Sequence, residues 1–326
     1  MAAWMVIYAH YWAGADSSWR MLRFTFTGVD LFFVLSGFVF APYFFGKPLQ
    51  IGAFAIRRFF RIYPAYLLAL LTYFGIKLAS GQELSYWWQH LLFAHLQSRE
   101  MAFYYNAPFW SLPSELEFYL LLPLLARFCS KHSTGLAALF VTALVMRALL
   151  GYASDREAQN LAYITMHHLP GMLVEFLLGV CAWRMVTLGL RAMTRAVLFV
   201  AGFSLWLVLA AVFAEMGDAR LDDSLLRGHI SWLAALAFAL MVAACLGAWV
   251  RVHPWLIWAS VWAGRLSYGC YLFHSAALQV LTPHALFFGA LDVTFAAALL
   301  TLFVAWLSYR LWENPWRQFG RSLGTR

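Results

Sequence analysis

The sequence predicts an all-α, polytopic transmembrane helical bundle of about ten spans with both termini cytoplasmic, and three observations predict it. Of 326 residues, 63% are hydrophobic and 12% are charged, whereas a soluble globular domain carries about 25% charged residues. Mean hydropathy is +0.69 across the whole chain. Apolar runs of the length needed to cross about 30 Å of hydrocarbon, roughly 20 residues each, recur from end to end. Ten such runs are found, at about 1–13, 27–45, 63–79, 109–127, 135–150, 169–188, 194–214, 229–249, 266–282 and 287–312. The little polar sequence left over makes residues 1–326 one transmembrane domain with no additional soluble domain. There is no internal repeat and no low-complexity tract.

The first run contains MVIYAHYW, which places His10 among apolar and aromatic side chains. Two readings stay open. His10 belongs to an interfacial aromatic belt with Tyr8, Tyr11 and Trp12, or it is a general base, because a near-neutral imidazole suits proton transfer. Thirteen helical residues reach only about 20 Å, too short to cross. The run also lacks the basic leader and cleavage site of a signal peptide.

The second run, GVDLFFVLSGF, holds Asp30, Ser36 and Gly37. Asp30 is either a helix-start acid favoured by the dipole or a group that orients a histidine across the helix interface. Ser36 and Gly37 are small enough to let helices approach closely. Next comes the densest basic cluster, RRFFRIYP. Arg57 and Arg61 share a face at i, i+4, with Arg58 three residues from Arg61. Pro64 is expected to open the third span, where its missing N–H costs nothing. The cluster is either an inner-face lipid anchor or an anion clamp suited to a pyrophosphate or ribose phosphate.

The fourth run opens as NAPFWSLPSELEFYLLLPLL. Ser111 is expected to cap its helix, with Pro113 in the first turn and Glu115 near the positive dipole end. Capping leaves two carboxylates, Glu115 and Glu117, entering a membrane helix without a reason. Ser111, Glu115 and Tyr119 lie on one face, with Glu117 roughly opposite, so Glu115 is the functional candidate. Glu175 and His274 are single polar groups inside later spans. Such groups are costly and are functional candidates by default, although each can be satisfied structurally, Glu175 by an arginine and His274 by a neighbouring helix. His167 and His168, adjacent at an outer loop–helix junction with no carboxylate or cysteine near them in sequence, are weak metal ligands; no metal is expected.

Four cysteines, Cys129, Cys181, Cys245 and Cys270, sit in or at the ends of apolar runs and read as small core residues rather than disulfides. In so apolar a chain the distribution of the +8 net charge counts for more than its sum, and no nucleic-acid partner is implied. With a cytoplasmic N-terminus and alternating spans, 15 of the 23 Lys and Arg residues fall inside. Asp16, Glu83, Glu100, Asp155, Glu157, Glu215, Asp218, Asp222 and Asp223 fall outside. Both termini are thus expected at the inner face, with lipids as partners throughout.

Taken in order, YAHYW, GVDLFFVLSGFVF, RRFFRIYPAYLLALL, WSLPSELEFYLLLPLL, LSYGCYLFH and YRLWENPW resemble the acyltransferase 3 family of polytopic membrane O-acyltransferases. Each string is weak alone; the ordered set is specific and spans nearly the whole chain. The resemblance implies an acyltransferase of the bacterial cytoplasmic (inner) membrane. It would move an acyl group, usually acetyl, from an acyl-coenzyme A (acetyl-coenzyme A) to a hydroxyl of a cell-surface or secreted glycan or other metabolite. It implies that His10 matches the family's essential histidine. Arg57, Arg58 and Arg61 would match the motif that holds the coenzyme A phosphates, and Ser111 and Glu115 the serine-x-x-x-glutamate pair. The family's arginine eleven positions before the histidine would fall just ahead of Met1, so a start upstream of Met1 is expected. Asp30 or Glu115 would orient His10, as carboxylates do in triads. The rival reading is a polytopic transporter or lipid flippase, whose usual paired repeats and broken helices are not evident.

Overall fold

A computed structural model describes residues 1–11, 20–132, 134–154, 161–222, 225–246, 253–284 and 290–324. Asp16, Asp155, Arg156, Glu157, Asp223, Arg251 and Arg326, counted in the orientation argument, lie outside the described residues, as do the side chains of Asp218, Arg220, Asp222 and Arg227. The described residues are helical with no strand among them, as expected where every backbone polar group must be satisfied within its own segment.

In chain order the helices are α1 (Ala2–Tyr11), α2 (Arg20–Arg23), α3 (Gly28–Phe44), α4 (Ile51–Ala79), α5 (Trp87–Leu91), α6 (Arg99–Phe103), α7 (Ser111–Lys131) and α8 (Gly135–Ala153). They continue as α9 (Leu161–His167), α10 (Leu169–Thr187), α11 (Ala192–Asp222), α12 (Ile230–Cys245), α13 (Pro254–Leu281), α14 (Ala290–Ser308) and α15 (Asn314–Leu323). Among the described residues, six stretches are long and apolar enough to cross a membrane: Arg20–Phe44, Ile51–Ala79, Gly135–Ala153, Leu161–Thr187, Ala192–Met216 and Val293–Leu323. Ile230–Cys245 is apolar but shorter. α7 occupies an expected span yet carries Glu115, Glu117, Arg127 and Lys131.

The centre of the bundle is the crossing of α3 and α10, against which α7, α8 and α12 pack. It is close because both helices present a glycine there: a Cβ on Gly37 would fall 1.8 Å from the Phe176 carbonyl oxygen, and one on Gly179 2.0 Å from that of Val34. The expectation that Gly37 allows close approach holds. α1 is wedged between α3 and α13, and α13 pairs with α14.

Two sequence expectations are corrected. Pro64 does not open a helix; α4 begins at Ile51 and carries Pro64 buried in its interior. The basic turn is helical because α15 clamps it: the Phe60 ring stacks on Trp316 at 5.7 Å and meets Phe319 edge-on at 5.3 Å. Such tertiary packing outweighs the local cost of an interior proline in a membrane helix. Ser111, second, is not the cap of α7. A 3₁₀ turn, Ala107–Trp110, precedes it, so Ser111 is already helical and its hydroxyl donates sideways to the Pro108 carbonyl at 3.1 Å.

Candidate active site

α1 ends in a two-residue clasp. The Tyr11 hydroxyl lies 2.6 Å from Thr301 Oγ1 and donates to the carbonyls of His274 (3.1 Å) and Ala297 (3.2 Å). That ties α1 to α13 and α14 together. One residue earlier, His10 Nδ1 lies 2.8 Å from His274 Nε2, with the two ring planes 12° apart and their centroids at 5.0 Å. His274 is fully buried; its Nδ1 faces the carbonyls of Cys270 (3.1 Å) and Tyr271 (3.0 Å). Of the two readings of His10, the structure supports a ring built into a polar contact rather than a belt residue.

His10 sits where two cavities meet. One of about 330 Å³ is bounded by Asp30, Trp110, Arg147, His167 and Ser231. A more open one of about 680 Å³ is bounded by Lys77, Gln82, Tyr104, Tyr105 and Gln279 near the C-terminal ends of α4 and α13. His10, Phe103 and Ala107 line both.

Asp30 does not touch His10. It is buried in the first turn of α3, within electrostatic reach of Glu175 and Arg147. Arg147 is 1% exposed, and its Nε and Nη1 donate to the carbonyls of Gly228 (2.7 Å) and Gly171 (2.9 Å). The expected ion pair of Glu175 with an arginine does not form among the described residues: both Glu175 carboxylate oxygens are buried without a hydrogen-bond partner there, and Arg147 acts on them only through space. With alternating spans, charge distribution alone places Arg147 among the outer charges. Its signal was there, a lone guanidinium inside ALVMRALL, where a charge needs a partner.

Glu115 is also apart from His10. It lines a third cavity of about 380 Å³ with Ser36, Arg58, Arg61, Tyr119 and Tyr268. There Glu115 accepts from Ser36 Oγ at 3.2 Å and from the Tyr119 hydroxyl. The orienting role expected of Asp30 or Glu115 is thus corrected: the group against His10 is His274. The expected pairing of Arg57 with Arg61 changes too. Arg58 and Arg61, at i, i+3, face the cavity, and Arg57 is turned to the Gly324 carbonyl at 3.4 Å beyond α15. Arg58 lies over the rings of Phe40, Phe54 and Tyr119, with its guanidinium carbon 5.0, 5.8 and 5.7 Å from their centroids. Its buried Nε has no hydrogen-bond partner among the described residues. Two guanidiniums facing one cavity are of the chemistry that can hold a phosphate.

The arginine cavity and the smaller His10 cavity are linked by a chain of side-chain contacts. Phe32 lines the former and meets Tyr271 edge-on at 5.4 Å. Tyr271 OH lies 2.6 Å from Ser111 Oγ and donates to Pro108 at 2.7 Å, and Pro108 lines the latter. Ser111 and Glu115 share one face of α7, as their spacing requires, with Ser111 beside this chain of contacts and Glu115 lining the arginine cavity.

Glu117 and His168 explain each other. Glu117 bonds His168 Nδ1 and accepts the Leu169 N–H at 2.7 Å, closing the N-terminus of α10. His168 thus has a carboxylate that no local sequence pattern foretold, and the described residues hold no cluster of metal-ligating side chains.

Such a structure is a polytopic helical membrane protein with an imidazole pair at one cavity junction and paired guanidiniums in another. The chain belongs to the acyltransferase 3 family: the family's profile, described as "Acyltransferase domain", matches residues 1–310. A Bacillus subtilis (strain 168) protein named "Putative peptidoglycan O-acetyltransferase YrhL" is 26% identical over 351 aligned positions, which cover 92% of this chain and 52% of that protein. The chain therefore spans about half the length of this curated relative. No solved structure matches the chain.

Proposed function

We propose that this protein is an O-acyltransferase of the bacterial cytoplasmic membrane. It moves an acyl group, acetyl in the usual case, from a coenzyme A thioester to a hydroxyl of a cell-surface or secreted glycan or other metabolite. The observation that carries the reading is the position of His10. His10 borders two cavities, and a chain of contacts through Phe32, Tyr271 and Pro108 runs from the arginine cavity to one of them.

Arg58 and Arg61 hold the donor phosphates from the inner side, and Arg57 steadies the end of α15. The slender arm of the donor passes these contacts as Tyr271 and Phe32 turn aside, which brings the thioester to His10. The acceptor reaches His10 through the open cavity, where Tyr104 and Tyr105 supply ring faces and Gln82 and Gln279 supply amides. His10 Nε2 takes the hydroxyl proton as the acceptor oxygen bonds to the thioester carbon. The C–S bond then breaks, and the proton passes from His10 to the departing sulfur.

Purified protein in detergent is incubated with acetyl-coenzyme A and a cell-envelope glycan fraction as the hydroxyl acceptor, and free thiol is followed. Wild-type protein releases thiol, and His10→Ala abolishes release while leaving expression and membrane insertion intact. No release by the wild type, or undiminished release by His10→Ala, rules the proposal out.

A further inference from the structure

We propose that His274 is a positioning residue for His10: its Nε2 lone pair fixes the tautomer and rotation that leave His10 Nε2 free to accept a proton. The inference rests on the reading of His10 as general base.

Counting hydrogens makes the case. A carbonyl oxygen only accepts, so His274 Nδ1, facing the carbonyls of Cys270 and Tyr271, carries the hydrogen. A neutral imidazole has one N–H, so His274 Nε2 is an acceptor. His10 Nδ1, 2.8 Å away, is then the donor. With its single hydrogen at Nδ1, His10 presents a bare Nε2. Had His10 faced a backbone N–H instead, Nδ1 would hold the lone pair and Nε2 could not act as a base.

The arrangement is held from three sides. His274 is 0% exposed, so no water competes for Nε2. Its two carbonyl partners lie on the preceding turn of its own helix. Tyr11, next to His10, donates to the His274 carbonyl at 3.1 Å, so α1 meets α13 at two consecutive residues. When His10 becomes imidazolium, the bond to His274 becomes charge-assisted and shortens. A carboxylate in this place would add a charge to a buried site; His274 orients without one.

The test uses the protein in detergent with acetyl-coenzyme A as donor probe and a cell-envelope glycan fraction as acceptor. His274→Ala, His274→Gln and His10→Ala are compared for thiol release, for donor binding by calorimetry and for thermal midpoint. His274→Ala lowers kcat by about 10²-fold, the scale of a reacting group misplaced by about 1 Å, and leaves KM for the donor unchanged. His274→Gln, whose amide oxygen can still accept from His10 Nδ1–H, recovers at least about a tenth of wild-type kcat. Wild-type kcat in His274→Ala overturns the proposal. So does an equal loss in both variants that follows their thermal midpoints. Loss in His10→Ala with full activity in His274→Ala sinks only the positioning role, whereas full activity in His10→Ala sinks the general-base reading beneath it.

Discussion

Gly37→Ala tests the geometry that holds the site together. The added methyl carbon would lie 1.8 Å from the Phe176 carbonyl oxygen and 2.7 Å from its carbon. Real Cβ atoms essentially never come within 3.0 Å of such atoms, so α3 and α10 must part by about 1.2 Å, the difference between the two distances. The obstacle is backbone, which cannot swing away. A gap of 0.5–1 Å already forfeits about a quarter to a half of each packing contact. The side chains that lose contact, Val34, Phe176 and Val180, are fully buried, and Phe176 stacks on Phe118 at 4.0 Å. Overpacking typically costs about 1–3 kcal/mol, and a backbone obstacle sets this case at about 3. Because Ser36 and Asp30 ride on α3 and Glu175 on α10, activity falls with stability. The assay heats detergent-solubilised protein and measures the monodisperse fraction by size exclusion, with Val39→Ala as the control on the exposed face of the same helix. Gly179→Ala, whose Cβ meets the Val34 carbonyl at 2.0 Å, gives a similar loss, and the double variant loses less than the sum because both open one gap. A Gly37→Ala protein with the midpoint and thiol release of the control would refute the close crossing.

Two further outcomes follow from particular contacts. Arg61→Gln raises KM for acetyl-coenzyme A by about 10–100-fold, the value of a hydrogen bond to a charged group at about 1.5–3 kcal/mol. Arg57→Gln, directed at Gly324, changes KM by less than about 3-fold, and equal effects of the two in steady-state kinetics would undo the assignment. Between α4 and α7, outside the spans, His90 and His95 stack at 4.1 Å, both fully buried. Burial, with the neighbouring ring beside it, pushes His90 down to about 3, and burial pushes His95 down to about 4. Both are therefore neutral when folded, and the unfolded chain takes up protons first. Their contribution is complete above about pH 6.5 and is lost as pH falls from there toward 4, on the order of 2 kcal/mol per ring by pH 5. A thermal midpoint that drops over this window, with a smaller drop in the His90→Phe, His95→Phe double variant, is the expected result of melts at graded pH.

Much of the site was legible as residue types and little of it as contacts. His10, Asp30, Glu115, Glu175 and His274 stood out because ionisable groups are rare in apolar runs. The i, i+4 spacing of Ser111 and Glu115 gave their shared face. Their partners were not legible. His10 and His274 are 264 positions apart, and the local pattern of either is equally compatible with an acid, a carbonyl or an interface. Arg58 replaced Arg57 at the cavity because α15, far away in the chain, takes Arg57.

Composition and period determined the fold class, since 63% apolar residues in runs of spanning length leave the backbone nowhere to bond except within helices. They also determined which side chains had to be explained. Only the tertiary structure decided who meets whom: that a histidine rather than a carboxylate faces His10, that Arg147 donates to the Gly228 and Gly171 carbonyls, and that Glu117 closes α10. Helical periodicity fixes a residue's face on its own helix, whereas the crossing of two helices is set by the small residues where their backbones touch, Gly37 and Gly179 here. That crossing depends on pairs of positions far apart in the chain, which no local pattern encodes.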